Sequence, residues 1–260
     1  MPVKIESTAN AVYKHIKKLH SRSGRTKFSQ YIAEGRRAVC DAAANGADIE
    51  FAVVCDGVDF ELESVRTYVF DKKLFDSLKL TVNSQGIMAV VNYTLKATDE
   101  MDFEKFSSVL YLDAVTDPGN MGTILRSADA LGADGVILGA GCVDIFNPKV
   151  VRSSMASILN VPVFYDEDYT RTFRRMEESG FQTIATLPRA ELLCCDAVYE
   201  GKTVLVMGNE ANGIRDDISQ RCSLAVRIPM LERTESLNVA TATTVMLYEI
   251  MRCKLKNNKG

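Results

Sequence analysis

Residues 109–139 read VLYLDAVTDPGNMGTILRSADALGADGVILG and carry the signals of one βαβ unit. The apolar run 109–112 predicts a buried strand, and Asp117-Pro118-Gly119 is typical of a turn. Asn120 can then cap a helix whose apolar residues fall three and four positions apart, and the run 136–138 predicts a second strand. Open α/β sheets bind ligands where such turns leave the strands, so this turn is a candidate ligand site.

The rest of the chain alternates short apolar runs with helical patterns, which predicts an α/β fold. Near the N-terminus, a helix with Val12 and Leu19 is followed by a break at residues 21–24. A second helix is predicted to carry Ile32 and to run toward Gly46. Strands are predicted at residues 51–55, 68–70, 87–91, 161–164 and 183–187 and from Val204, and helical structure near residues 190–195.

Two domains are predicted. The polar segment 96–108 has charges on both sides of Met101 and Phe103 and is the best candidate for a linker. The boundaries are therefore 1–97 for a small α/β domain, 98–107 for the linker and 108–260 for the larger domain.

Composition excludes several classes of protein. No run approaches the ~20 apolar residues of a membrane span, and the start MPVKIESTAN lacks the apolar core of a signal peptide, so a cytoplasmic protein is expected. Seven cysteines form no CxxC pair, and their odd number argues against a disulfide framework, so they are expected to be small buried hydrophobes. Only two histidines occur, so neither a metal site nor a histidine-based nucleophilic triad is expected.

Charge is distributed unevenly along the chain. Residues 1–40 carry nine lysines and arginines against two acids, a charge of +7, whereas the whole chain carries −3. A basic N-terminal segment, called the head below, in an otherwise acidic chain indicates contact with a polyanion. The alternative is a charged face that is simply solvated. Lys149 and Arg152 lie three apart on a predicted helix that starts at Asn147-Pro148, and could contact phosphate or simply face solvent. The candidate phosphate contacts in the head are Lys17, Lys18, Arg22, Arg25, Lys27, Arg36 and Arg37.

Three strand ends carry loops that could converge, at residues 117–126, 207–213 and 228–238. A dinucleotide dehydrogenase is disfavoured because the G-x-G-x-x-G signature is missing. The nearest text, at residues 139–144, lacks the third glycine and does not lead directly into a helix. The same absence disfavours the common nucleotide-fold methyltransferases, and there is no P-loop.

These residues resemble the SpoU/TrmH ribose 2′-O-methyltransferases of the SPOUT class. The first motif is Asn120-x-Gly122-x-x-x-Arg126, and the second is Met207-Gly208-x-Glu210-x-x-Gly213. The third combines Ile228-Pro229-Met230 with Ser236-Leu237-Asn238-Val239-Ala240. All three occur in the family's order, with the Asn-Pro-Lys-x-x-Arg segment at residues 147–152. Relatives often have glycine at position 156, where this chain has Ala156, which is expected on a helix and of little consequence.

The resemblance implies a deep C-terminal trefoil knot with a parallel sheet. It also implies that a small α/β domain, which resembles a ribosomal protein and binds RNA, precedes the knot. It also implies a homodimer that packs around the knot through the final helix, and S-adenosylmethionine as the cofactor. The residues implied to wrap the cofactor are Thr186, Leu187, Met207, Gly208, Asn209, Glu210, Gly213, Ile228, Pro229, Met230, Ser236, Leu237, Asn238 and Ala240.

The reaction implied by the resemblance is attack of a ribose 2′-hydroxyl on the sulfonium methyl group. The substrate that the resemblance favours is 23S ribosomal RNA. Arg126, oriented by Asn120, would position the hydroxyl and stabilise the developing alkoxide. Glu210 and Asn238 would hold the loops and the substrate, and Ser236 would fix the final turn. The alternatives are a ribose methyltransferase of transfer RNA and a non-catalytic RNA-binding protein that keeps the fold.

Overall fold

The computed structural model describes residues 3–231 and 236–257 of the chain. The chain forms two compact units that do not follow its order. The first unit contains residues up to Thr94 together with Asp144–Leu159, and the second contains Leu95–Val143 and the residues from Asn160 onward. A segment from the middle of the chain therefore packs with the N-terminal residues, which differs from the predicted boundaries.

The first unit is built on a five-stranded mixed sheet in the order β1-β4-β3-β5-β2. The strands β1, β4 and β3 are parallel, and β5 runs antiparallel to both β3 and β2. Ile16, Leu19, Val53, Phe70 and Leu78 are buried in its core. Its elements before Leu95 are β1 (Val3–Ile5), α1 (Ala11–Leu19), α2 (Arg22–Phe28), β2 (Gln30–Glu34), α3 (Arg36–Ala44), β3 (Ile49–Cys55), β4 (Thr67–Phe70), α4 (Lys72–Leu78) and β5 (Ile87–Asn92).

The predicted second helix through Ile32 is wrong, because residues 30–34 form the edge strand β2 and only residues from Arg36 onward are helical. Gly35 separates the two elements with a φ of +101°, a conformation that favours glycine. Although β2 is an edge strand, both of its faces are buried. Phe146, from the segment Asp144–Leu159, stacks on Tyr31 with 5.1 Å between ring centroids.

The remaining part of the chain continues the alternation of strands and helices. Its elements are β6 (Lys96–Ala97), β7 (Ser108–Leu112), α5 (Pro118–Ala130), β8 (Gly135–Leu138), α6 (Pro148–Ser154), α7 (Ser157–Asn160), β9 (Val163–Tyr165), α8 (Tyr169–Glu178), β10 (Phe181–Thr186), β11 (Leu192–Leu193), β12 (Lys202–Met207), α9 (Asp216–Ser219), β13 (Leu224–Arg227) and α10 (Val239–Asn257).

The second unit is built on an eight-stranded sheet in the order β11-β13-β10-β12-β7-β8-β9-β6, in which every pair of neighbours is parallel. The predicted α/β fold with a parallel sheet is therefore confirmed, and the knot stays a prediction. The helical structure expected near residues 190–195 is wrong, since Leu192 and Leu193 form the short strand β11. No helix among the described residues is long and apolar enough to cross a membrane.

The predicted linker is part of the second unit. Residues 98–100 and 103–105 form short 3-10 helices, and Met101 and Phe103 are buried in the core of the second sheet. Arg175 of α8 donates to the carbonyl oxygens of Thr98 and Met101 at 2.6 and 2.7 Å. Met101 and Phe103 are thus buried core residues between charged neighbours, and the polar composition of the segment does not show that it packs with the second unit.

Candidate active site

The site lies at the carboxyl edge of the second sheet. Because β7, β10, β12 and β13 are parallel, the loops that follow them leave the sheet on the same side. A cavity of about 200 Å³ opens there. It is lined by Thr186, Leu187, Pro188, Met207, Gly208, Asn209, Glu210, Ala211, Gly213, Ile228, Met230, Ser236, Leu237, Val239 and Ala242.

Most of the residues implied to wrap the cofactor line this cavity. Pro229, Asn238 and Ala240 do not line it. Residues 232–235 of the predicted loop 228–238 lie outside the described residues. Val239 of the third motif also lines the cavity. Three further lining residues were not predicted, although each lies close to a motif residue in the sequence: Pro188, Ala211 and Ala242.

The loop after β12 folds back on itself. Asn209 and Gly213 exchange two backbone hydrogen bonds of 2.9 Å, and the Asn209 side chain donates to the carbonyl oxygen of Ala114 at 2.7 Å. A Cβ atom on Gly208 would overlap the backbone of Gly213 and Ile214. Glycine is required at position 208 because the loop's own backbone passes there.

Glu210 ties this loop to the one after β7. Its carboxylate accepts hydrogen bonds from the backbone N–H groups of Thr116 and Asp117, at 3.3 and 3.2 Å, and from the Asn120 side chain at 3.0 Å. Asn120 in turn accepts a hydrogen bond of 2.9 Å from the Asn238 side chain. The structure thus brings together one polar residue from each of the three motifs.

Asn120 is available for this network because it does not cap its helix. The cap of α5 is Asp117, which accepts from the Asn120 backbone N–H at 2.8 Å, and Pro118 is the first helical residue. The predicted cap at Asn120 is therefore wrong. At the other helix, Asn238 accepts from the backbone N–H groups of Ala240 and Thr241, so it caps α10.

The electrostatic surroundings keep Glu210 ionised. Burial raises the pKa of its carboxyl, but the hydrogen bonds from Asn120 and from the backbone at Thr116 and Asp117 outweigh that effect and lower the pKa below its ordinary value. At neutral pH, Glu210 is therefore an acceptor that fastens the loops rather than a proton donor.

Arg126 lies on α5, two turns beyond Asn120, and its side chain is exposed. Its guanidinium forms no hydrogen bond or ion pair with any residue in 3–231 or 236–257. The structure therefore does not bring Arg126 into the Glu210 network, and its charge is exposed. Ser236 is exposed and lines the cavity.

The cavity has the character of a site for S-adenosylmethionine. The Thr186 hydroxyl oxygen is buried without a hydrogen-bond partner in the described structure, and it belongs to a lining residue. Buried polar atoms are normally paired, so this oxygen is a candidate contact for a polar ligand. Apolar side chains such as Leu187, Ile228 and Met207 line the same cavity, as a flat adenine ring requires.

The basic residues of the first unit divide into two kinds. Arg25 is only 4% exposed. Within the unit, its guanidinium forms an ion pair with Asp144 at 2.7 Å and donates hydrogen bonds to the carbonyl oxygens of Leu19 and His20. The prediction that Arg25 contacts RNA is therefore wrong, because an arginine held this way supports the fold. The exposed candidates are Lys17, Lys18, Arg22, Lys27, Arg36, Arg37, Lys149 and Arg152.

No group of three or more histidine, cysteine, aspartate or glutamate side chains that could hold a metal ion occurs among the described residues. The seven cysteines are free, and Cys40 and Cys195 are exposed. The expectation that all seven are buried is met in full only by Cys194, since four others are partly buried. It is wrong for Cys40, on an outward face of α3, and for Cys195, which follows the edge strand β11.

Comparison with known proteins agrees with this geometry. The profile described as the SpoU rRNA Methylase family matches residues 107–248, and the MRM3-like substrate binding domain matches residues 10–89. The chain is 31% identical to the 23S rRNA (guanosine(2553)-2′-O)-methyltransferase RlmP of Bacillus subtilis, over 95% of this chain and 98% of that one. It is 30% identical to the 23S rRNA (uridine(2479)-2′-O)-methyltransferase of Streptomyces viridochromogenes, over 91% and 88%.

A solved structure, the AdoMet-bound rRNA methyltransferase from Sinorhizobium meliloti, superposes with a TM-score of 0.84 at 28% identity, covering 96% of this chain and 97% of that one. The parallel sheet and its three joined loops therefore define an enzyme of the methyltransferase class. The chain belongs to the SpoU rRNA methylase family, as the motifs predicted.

Proposed function

We propose that this enzyme transfers the methyl group of S-adenosylmethionine to a ribose 2′-hydroxyl of 23S ribosomal RNA. The observation that carries the proposal is the hydrogen-bonded chain Glu210–Asn120–Asn238, which joins the three motifs beside the cavity. The two relatives named above, methyltransferases of guanosine and of uridine in 23S rRNA, support the ribosomal substrate. The AdoMet-bound neighbour supports the cofactor.

The cofactor, when bound, supplies an electrophilic methyl group on a sulfonium centre. The chain's residues orient the hydroxyl that receives it. Asn120 is held by Glu210 on one side and Asn238 on the other, so its position on α5 is fixed. A guanidinium stays protonated in proteins and is a poor base, so Arg126 positions the hydroxyl and stabilises the developing alkoxide. Orientation alone removes about 7 to 11 kcal/mol of barrier in well-aligned reactions.

The test is incubation with radiolabelled S-adenosylmethionine and total RNA from a strain that lacks the gene, followed by sizing of the labelled RNA. Label in large ribosomal RNA, at one linkage that resists alkaline cleavage, is expected. Label in transfer RNA instead would show that transfer RNA, and not ribosomal RNA, is the substrate. If the chain binds the cofactor tightly but labels neither naked RNA nor ribosomal particles, it is a binding protein with this fold and not an enzyme.

Arg126→Ala is the matching variant, with Arg174→Ala as its control, since Arg174 is an exposed arginine on α8 of the same unit. Loss of methyl transfer with unchanged cofactor binding is expected only for Arg126→Ala. Full activity of Arg126→Ala would remove the role assigned to this residue.

We also propose that residues 1–97 form the RNA-binding domain, in keeping with the match to a substrate binding domain. Its exposed cations include Lys17, Lys18, Arg22 and Lys27 around the turn between α1 and α2. If about five phosphates of single-stranded RNA are gripped, affinity falls with salt with a log-log slope of about −3.5. An affinity that does not depend on salt would remove this role.

A homodimer in the cytoplasm completes the proposal. The face of α10 that points away from the core exposes Val245, Tyr248 and Leu255, at 37%, 53% and 55%. Such an apolar stripe on one helix fits a partner copy, which could also complete the site around Arg126. Light scattering at micromolar concentration should give twice the mass of 28.7 kDa for the native chain. Tyr248→Glu should be a monomer, whereas Val82→Glu, an exposed valine of the first unit, should remain a dimer.

A further inference from the structure

The first unit contains a cavity of its own, of about 150 Å³, between β2, α3 and α6. Ile32, Ala38, Leu80 and Val151 are among its apolar walls, and Glu34, Arg37 and Arg152 are among its polar ones. We infer that this cavity receives an unpaired nucleobase of the RNA substrate and prefers a base with an exocyclic amino group. The inference rests on the proposed RNA methyltransferase function.

The charges around the cavity match a nucleic-acid strand. Arg37 and Arg152 are both exposed lining residues. Arg152 forms no ion pair or hydrogen bond within the part of the chain that the structure describes. Arg37 is 73% exposed and has a carboxylate of Asp41 at 3.5 Å, a contact too open to water to neutralise it. Exposed guanidinium groups contact phosphates and stack on unpaired bases, so both can hold a strand whose base enters between them.

Glu34 gives the cavity its selectivity. One carboxylate oxygen accepts from the Leu80 backbone N–H at 2.6 Å, and the other accepts from the Thr81 hydroxyl at 2.7 Å. The carboxylate is therefore held in place, and each oxygen keeps a lone pair for another donor. Adenine, cytosine and guanine carry an exocyclic amino group that can donate to it. The N3–H donor of uracil lies between two carbonyl oxygens, which a carboxylate repels.

Gln85 supplies the complementary group. Its side-chain oxygen accepts from the Arg36 backbone N–H at 2.8 Å, which fixes the amide at the rim of the cavity. The amide nitrogen forms no hydrogen bond with any other described residue, so it can donate to an acceptor on the base. Apolar walls, one fixed acceptor and one free donor together are the contacts that an unstacked base uses.

The experiment measures binding of the full chain to fluorescein-labelled single-stranded RNA hexamers by fluorescence anisotropy. One hexamer consists of six uridines, and three others carry a single cytidine, adenosine or guanosine at a central position. A charge-assisted hydrogen bond to Glu34 should make at least one of these three bind about ten-fold more tightly than the uridine hexamer. Equal binding of all four hexamers would overturn the inference.

Two variants and a control locate the preference. Ala38→Phe fills the cavity, so the four hexamers should bind this variant with equal affinity. Ala44→Phe, on an exposed position of the same helix that does not line the cavity, should leave the preference intact. In Glu34→Gln the amide oxygen can accept from the Leu80 backbone N–H and the amide NH2 can donate to the Thr81 hydroxyl oxygen, so the variant should remain folded. It lacks the negative charge of the acceptor and should lose the preference.

Survival of the base preference in Ala38→Phe or Glu34→Gln would place it elsewhere and overturn the inference. Failure of the proposed function looks different. A native chain that binds no hexamer contradicts RNA binding by the first unit, and one that methylates no RNA contradicts the proposed reaction. A chain that methylates RNA and binds all four hexamers equally contradicts only the base-binding cavity.

Discussion

Asp113, the residue after β7, pairs with Arg215, the residue after the loop that follows β12. The Arg215 backbone N–H and side-chain Nε donate to the two carboxylate oxygens of Asp113, at 2.8 and 3.0 Å. The Asp113 side chain is 1% exposed and that of Arg215 is 43% exposed. The pair therefore anchors the far end of the loop after β12 to β7, and Arg215 supplies the donors that the buried Asp113 carboxylate needs.

Arg215→Ala should misplace this loop. Removing one partner of a buried pair costs about 3–5 kcal/mol of unfolding free energy, and the exposure of Arg215 puts the expected loss at or below about 3 kcal/mol. The cofactor affinity of this variant, measured by calorimetry, should also be lower than that of the native chain. Arg221→Ala is the control, because Arg221 also lies over the Tyr169 ring, at 5.7 Å against 5.1 Å for Arg215. Equal effects of the two variants would mean that stacking on Tyr169, not Asp113, holds the loop.

Glu210 should make stability depend on pH in the acid range. Its folded pKa is lowered, because hydrogen bonds from Asn120 and the backbone outweigh burial. The stabilisation is present above its ordinary pKa of 4.5 and is lost as pH falls through the lowered value. Melting temperatures of the native chain and of Glu210→Gln, compared from pH 7 to pH 3, should therefore converge at the acid end. A constant difference would show that the charge of Glu210 does not contribute.

Much of the second unit could be predicted from the sequence because its signals are local. The strand predicted at 109–112 follows from residues adjacent in the chain, and the structure has it as part of β7. The cap predicted at Asn147, in the segment that joins the first unit, is equally local and is also present. The cap of α5 shows the limit. Both Asp117 and Asn120 have side chains suited to capping, and only the distant Glu210 decides that Asn120 is used elsewhere.

The first unit was harder to predict because its packing is not local. The strand β2 is buried on one face by Phe146, which comes more than a hundred residues later and stacks on Tyr31, and on the other by the core that contains Ile32 and Ile16. Its residues therefore show no alternation between apolar and polar side chains, and the pattern predicts a helix instead. Arg25 is a similar case, since its partner Asp144 also comes from that distant segment.

Gly208→Ala should abolish cofactor binding. The added Cβ atom would overlap the backbone at Gly213 and Ile214, so the loop must open to accept it. Gly180→Ala is the control. Gly180 lies just after α8 with a φ of +76°, and a Cβ atom there meets nothing within 4 Å. That variant should lose roughly 1–2 kcal/mol of stability, because alanine is strained at this φ, and keep its cofactor affinity, as measured by calorimetry. Unchanged affinity in Gly208→Ala would show that the loop conformation is not needed for binding.

Ala156→Gly should stabilise the protein. The sequence predicts a helix at Ala156, but the residue lies between α6 and α7 with a φ of +72°, directly after Met155 at +50°. A left-handed conformation costs an L-residue roughly 1–2 kcal/mol, which glycine avoids at a smaller entropic cost. The melting temperature should rise by a few degrees. Ala43→Gly, on an exposed position of α3, should lower it, and a fall in Ala156→Gly would contradict the assigned strain.

Cysteine reactivity should separate the buried thiols from the exposed ones. Burial raises the pKa of Cys142 to about 11 and that of Cys222 to about 12, so at pH 8 both are almost entirely protonated thiols. The thiolate is the reactive form, and Cys40 and Cys195 are exposed. Iodoacetamide at pH 8 followed by peptide mass spectrometry should label Cys40 and Cys195 first, and Cys142 and Cys222 only after unfolding. Rapid labelling of Cys142 in the folded chain would mean that the end of β7, to whose Leu112 carbonyl its thiol donates at 3.3 Å, opens readily to solvent.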